Sequence, residues 1–153
     1  MARLNTLILG GALLALVACT PGGTAVPTGG GAGMTIDIDL TTHAPADTPQ
    51  GRAAGYAPLV TTVAVGTTIQ FKNSDTFLHT ASFVGTQPSF PDVPHFNGSE
   101  TSHFGTAISQ PWSTGALSPG TTSPSITIDV AGTYLYGCFY HYSAPMRGVI
   151  VAQ

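Results

Sequence analysis

"GTYLYGCFYHYSAPMRGVIVAQ" runs from Gly132 to Gln153, and its reading decides the fold. In its first part Tyr134, Tyr136 and Cys138 fall on one face, as side chains do at every second residue of a strand. Its last part, Gly148 to Gln153, is a short apolar strand. Between the strands the chain crowds a thiol, an imidazole and a thioether, Cys138, His141 and Met146, in the spacing C-x2-H-x4-M.

The same period of two extends upstream. "MTIDIDL" (Met34–Leu40) alternates Ile36, Ile38 and Leu40 with Thr35, Asp37 and Asp39. "LVTTVAVG" (Leu59–Gly66) and "TTIQFKN" (Thr67–Asn73) read as a pair hinged at Gly66, with Ile69 and Phe71 on one face. "LHTASFVG" (Leu78–Gly85) and "SITIDV" (Ser125–Val130) follow. Alternation punctuated by Gly-containing turns predicts half-buried antiparallel strands. Nothing after Met34 has a helical period, and 19 glycines with 12 prolines favour turns over long helices. About seven short strands predict one all-β domain, a β-sandwich, over residues 34–153. Residues 41–58 and 85–120 read as long Pro/Gly/Ser/Thr-rich loops.

Charged residues are 7% of the 153 and the formal net charge is −3, which argues against a nucleic-acid or polyanion partner. The N-terminus reads as an export signal. Arg3 supplies a positive start, Leu7 to Val17 an apolar run too short to span a membrane, and "LVAC" (Leu16–Cys19) a cleavage point. Cysteine after small residues resembles the bacterial lipoprotein box. It implies a signal peptide over residues 1–18, a lipidated Cys19 and a mature chain held on the outer side of a cell-envelope membrane. The alternative is an ordinary signal peptide cut nearby, with Cys19 incidental. "TPGGTAVPTGGGAG" (Thr20–Gly33) completes a flexible linker over residues 19–33, with a reach of about 20 Å. A lipidated Cys19 leaves Cys138 without a disulfide partner outside the cytoplasm, where a lone thiol is exposed to oxidation unless a metal uses it.

His79 completes a candidate site. Two imidazoles, a thiolate and a thioether are the donor set of blue-copper electron-transfer centres, because sulfur suits Cu(I) and imidazole suits Cu(II). One short loop would carry three donors and a neighbouring strand the fourth, so the geometry is kept nearly fixed during a redox change. His43, His95 and His103 remain. The last two fall among Phe90, Phe96, Phe104 and Trp112, and two histidines without a third ligand specify little. The plainer reading is a loop whose aromatics cover a sheet edge or the end of the sandwich.

The ligand-bearing stretch resembles the cupredoxins, the small blue-copper proteins. Plastocyanin and pseudoazurin have the same C-x2-H-x4-M loop, and the "MRG" plus apolar strand is similar to the end of amicyanin. "VAVGTTIQFKNSDTFLHTASF" looks like the family's upstream half, where an F-x-N strand leads to the first histidine. The resemblance implies a Greek-key β-sandwich of about seven to eight strands with one copper at one end. His79, Cys138 and His141 would be equatorial ligands and Met146 the weak axial one. The chain also departs from the family. Leu78 and Thr80 flank the first histidine where Pro and Asn are frequent. That Asn commonly braces the ligand loop, and Thr80 could partly replace it. Gly137 stands where plastocyanin often has Tyr, which argues against a second electron port on the flank.

The function this implies is single-electron transfer outside the cytoplasm by a membrane-tethered monomer. Its partners would be redox proteins, membrane respiratory or photosynthetic complexes among them. His141 would be the electron port, inside an uncharged docking collar of Tyr142, Ser143, Ala144 and Pro145. A copper-delivery protein of the cell envelope is the alternative, although residues 34–153 hold only two methionines, Met34 and Met146. Copper oxidases and nitrite reductases usually carry a histidine beside the cysteine. Cys138 has Gly137 and Phe139, so an enzyme is not expected.

Overall fold

The computed structural model describes residues 33–153. The expected signal peptide, Cys19 and all of the linker but Gly33 lie outside the described residues. In chain order the strands are β1 (Met34–Ile38), β2 (Ala46–Thr48), β3 (Gly51–Ala53), β4 (Tyr56–Ala57), β5 (Val60–Val63) and β6 (Thr68–Asn73). They continue with β7 (Ser82–Gly85), β8 (His103–Phe104), β9 (Ser113–Thr114), β10 (Ile126–Thr127), β11 (Gly132–Gly137) and β12 (Arg147–Ala152). The all-β sandwich is as expected. One sheet has the order β10-β6-β1-β4, the other β5-β12-β11-β7-β9-β8, and β2 and β3 form a separate hairpin.

Several local expectations are corrected. Strands β2, β3, β4, β8 and β9 are two or three residues long and lie in the stretches read as loops, where no alternation is long enough to be seen. Gly66 does not hinge a hairpin. It turns the chain from β5 in the larger sheet to β6 in the smaller one, at φ 91°, a conformation only glycine adopts without strain. Not every pairing is antiparallel: β1 runs parallel to β6, with Met34 opposite Ile69, and β12 runs parallel to β5. Alternation reports which face is buried but not strand direction, so this lay beyond the pattern. The strand expected from Leu78 begins at Ser82, and His79 precedes it, in an isolated bridge with Leu117.

The core fills the space between the sheets. Ile36, Ile38, Ile69, Phe71 and Ile126 from the smaller sheet meet Val63, Tyr134, Tyr136, Ile150 and Ala152 from the larger one. Phe71, Trp112, Tyr56 and Tyr136 form an aromatic knot, with Tyr136 at 4.8 Å from Tyr56 and 5.2 Å from Phe71, both edge-on. Each such pair adds about 0.5–1.5 kcal/mol beyond the area it buries. The outer face of β11 is covered as well: Leu135 and Val149 pack with Ala53 and Phe90. Both faces of β11 are therefore buried at its C-terminal end, where it delivers Cys138.

Candidate metal centre

The centre lies where β11 ends. Gly137 pairs with Arg147, and the Cys138 amide donates to the Met146 carbonyl at 3.0 Å, so the ladder closes the loop 138–146 at its base. Inside it, the Ala144 and Met146 amides both donate to the His141 carbonyl, at 2.9 and 3.3 Å, which winds the loop tightly. Cys138 Sγ is 3.7 Å from His141 Nδ1 and 3.7 Å from His79 Nδ1, and the two Nδ1 atoms are 3.1 Å apart. Among the described residues these three form the one cluster of His, Cys, Asp or Glu with metal-site spacing, all donor atoms lying within 4.8 Å.

The donor set fits a metal ion. Two nitrogens and a sulfur bonded at roughly 2.0–2.3 Å to one ion are separated by about these distances. At 3.1 Å the two imidazole nitrogens are within hydrogen-bond distance of each other, and together with the sulfur they present three donor atoms to one point. Met146 is fully buried in the same core cluster as Cys138. Gly55, at φ +73°, lies directly under it, and a Cβ there would stand 2.8 Å from Met146 Cγ. A side chain at position 55 would therefore collide with Met146, and glycine leaves room for it.

The shell around the donors is also built. The Thr80 amide donates to Cys138 Sγ at 3.4 Å, and the Phe139 amide donates to Thr80 Oγ1 at 2.9 Å. Ser82 Oγ donates to the same Thr80 hydroxyl, and Tyr56 O–H donates to the Thr80 carbonyl at 2.6 Å. Thr80 therefore occupies the bracing position in which the family pattern has Asn. His79 Nε2 lies 3.0 Å from Asp75 Oδ2. Asn73 Nδ2 donates to the carbonyls of Phe77 and Leu117, which pins the turn before His79. Sequence reading met Asn73 only as the end of the F-x-N strand, without a role, and passed over Asp75, whose only signal was a carboxylate four residues before the histidine.

Electrostatics favour a Cys138 that stays a thiol until a cation binds its sulfur and displaces the proton. Burial pushes Cys138 up, against amide hydrogen bonds from Thr80, Tyr140 and His141. Burial and the adjacent His79 ring hold His141 below its ordinary value, so it stays neutral and able to ligate in mild acid. Burial raises Asp75, but hydrogen bonds from His79 and from the Thr76 and Leu40 amides outweigh it, and the carboxyl is held below the ordinary range.

The expected collar is corrected at Tyr142. Its side chain is buried, its hydroxyl donates to the Pro91 carbonyl at 3.0 Å, and the Arg147 guanidinium lies 4.1 Å above its ring. Ser143 and Ala144 are exposed and Pro145 half-buried. The exposed apolar side chains next to ligands in the chain are Phe77, Leu78 and Tyr140. The aromatics of 85–120 cover structure, as the plainer reading had it. Phe96 packs on Phe139 and Tyr142, and Trp112 stacks on Phe71. His103 Nδ1–H donates to the Ser113 carbonyl at 2.9 Å, and His95 is exposed. His43 pairs with Asp37 at 2.8 Å.

Residues 46–153 match the family model described as copper binding proteins, plastocyanin/azurin family. Similar solved structures include a purple cupredoxin from Nitrosopumilus maritimus, 19% identical with a TM-score of 0.49, covering 78% of this chain and 99% of that one. Reduced auracyanin from Roseiflexus castenholzii is 21% identical with a TM-score of 0.48, covering 82% and 99%. A Cu(I) form of an amicyanin variant is 19% identical with a TM-score of 0.49, covering 84% and 90%. No curated protein matches the chain.

Proposed function

Because the chain belongs to the plastocyanin/azurin family of copper-binding proteins, we propose that it carries single electrons between redox proteins outside the cytoplasm, tethered to a cell-envelope membrane through Cys19. Its cofactor is one type 1 copper ion. His79, Cys138 and His141 would hold it in this reading, with Met146 as a fourth, weaker donor. The ion would supply a one-electron change between Cu(I) and Cu(II), both of which this mixed sulfur and imidazole set suits.

The chain's own residues do the rest. Thr80 and the Cys138–Met146 ladder keep the donors in place, so little has to move. Cys138 is fully buried in the same core cluster as Phe71, Tyr56 and Tyr136, so its sulfur is shielded from water. The observation that carries the reading is an asymmetry of exposure. His79, Cys138 and Met146 are fully buried, while His141 is half-buried and so alone among the four reaches the surface. His141 is the electron port, and Phe77, Leu78, Tyr140, Ala144 and Pro145 supply an uncharged face on which a partner docks without stripping water from charges.

The test is the visible spectrum of the purified protein with one equivalent of Cu(II). An intense thiolate-to-copper band near the red end, bleached by reductant, restored by oxidant and lost in Cys138→Ser, is the expected result. A colourless copper-loaded protein would overturn the assignment in favour of storage or delivery.

A further inference from the structure

Asp75 is a carboxylate only 3% exposed. Among the described residues the one basic side chain within reach of its carboxylate is His79, and no Lys or Arg pairs with it. A buried carboxylate is costly unless its oxygens are hydrogen-bonded or paired, so the partners of each oxygen matter. The ligand ring is one of those partners.

The carboxylate is held independently of that ring. Oδ2 accepts the Leu40 amide at 2.8 Å, and Oδ1 accepts the Thr76 amide at 2.6 Å. The Asp75 amide donates to Asn73 Oδ1 at 3.0 Å and to the Ile38 carbonyl at 3.2 Å. Asp75 is thus fastened to the end of β1 and to β6 before it touches His79. A carboxylate offers only acceptors, so the His79 nitrogen 3.0 Å away must carry the proton. In a neutral imidazole the other nitrogen, Nδ1, then holds the free lone pair. Nδ1 is the atom that points at Cys138 Sγ and His141 Nδ1.

We infer that Asp75 is a positioning residue of the copper centre: anchored on β1, it fixes His79 as an Nδ1 ligand and places a buried negative charge one imidazole away, favouring the oxidised ion. The inference rests on the copper reading above. Carboxylate–histidine–metal arrangements orient the ring and raise its basicity, and loss of such a partner commonly weakens metal binding by about 10- to 100-fold. A fixed negative charge stabilises the more positive oxidation state, so removing it raises the reduction potential.

Asp75→Asn keeps the shape and a carbonyl acceptor for the Nε2–H but removes the charge. In the full-length protein it shifts the Cu(II)/Cu(I) equilibrium toward Cu(I) by about tenfold, an upward shift of about 59 mV, with the thiolate band retained. A potential that is unchanged or lower overturns the inference. A second measurement needs no variant. In the Cu(I)-loaded wild type, nitrogen-15 NMR of the His79 ring shows a protonated Nε2 with slow solvent exchange, and an unprotonated Nε2 overturns the inference equally. The two readings fail differently. A wild type without the thiolate band removes the copper assignment and this inference with it. A wild type with the band whose Asp75→Asn variant keeps its potential removes this inference alone.

Discussion

Thr80→Val tests whether one hydroxyl braces the ligand loop. Thr80 is fully buried, and its Oγ1 accepts the Phe139 amide at 2.9 Å and the Ser82 hydroxyl at 3.2 Å. Valine keeps the branched shape and removes the acceptor. Ser82 keeps a second partner in Ser113 Oγ at 2.9 Å, so its loss is small. The Phe139 amide, next to Cys138, has no other acceptor and is left unpaired, at a cost of about 1–3 kcal/mol. The extra buried methyl returns up to about 0.8 kcal/mol, so the net loss lies between about 0.2 and 3 kcal/mol, with its middle at about 1–2 kcal/mol. For a domain of roughly 120 residues, unfolding entropy near 2.1 cal/mol/K per residue gives about 0.25 kcal/mol per degree. The metal-free variant then melts about 4–8 °C lower. Because the freed amide is adjacent to the thiolate ligand, the Cu(II) band also shifts and copper is held roughly tenfold less tightly. Thr80→Ser restores the acceptor and with it both the band and most of the melting temperature. Calorimetry of the metal-free forms and a competitive copper titration decide the matter. A Thr80→Val protein with unaltered melting and affinity would refute the brace.

Two further outcomes are expected. Gly137→Ala would place a Cβ 2.6 Å from a carbon of the Tyr142 ring, which is pinned by Pro91 and Arg147. It lowers stability by about 1–3 kcal/mol, and adding Tyr142→Ala recovers part of that loss in a non-additive way, measurable by urea denaturation. Acid weakens the metal-free fold through His141. Its folded value is below the unfolded 6.5, so the unfolded chain takes up the proton first. That contribution is complete above about pH 6.5 and is lost as pH falls toward the folded value. The urea midpoint therefore drops between pH 7 and 5, and less steeply in His141→Asn. Equal slopes in the two proteins would contradict the assignment.

The strands that read well in the sequence are those with one apolar face and one wet face. β1 shows this in Ile36 and Ile38 set against Thr35 and Asp37, and β6 in Ile69 and Phe71. Direction and sheet membership were invisible at the same positions, because a period of two is identical for parallel and antiparallel neighbours. Gly66 illustrates the limit. A turn residue announces that the chain reverses but not whether it stays in one sheet, and here the space between the sheets had to be closed at that corner. The two-residue strands β8 and β9 had no pattern to show. They exist because the 85–120 segment is laid along the open edge of β7, where Ser82 pairs with Ser113.

At the site, the donors were legible because their chemistry is rare and their spacing short, whereas the supports were not, because each is a common residue given meaning by a partner far along the chain. Thr80 meets Phe139 across 59 positions, and Asp75 meets Leu40 across 35. Tyr142 shows the same limit in reverse. Its place beside His141 suggested an exposed collar, but Gly137 leaves a gap on β11 that the ring enters. The glycine where plastocyanin often has a tyrosine and the buried tyrosine of the loop are therefore one feature: the aromatic that could stand on the flank before Cys138 is replaced by one folded down from the loop. This arrangement leaves the flank without a tyrosine at that point, and among the four expected donors only His141 is partly exposed, which is what the proposed electron port requires.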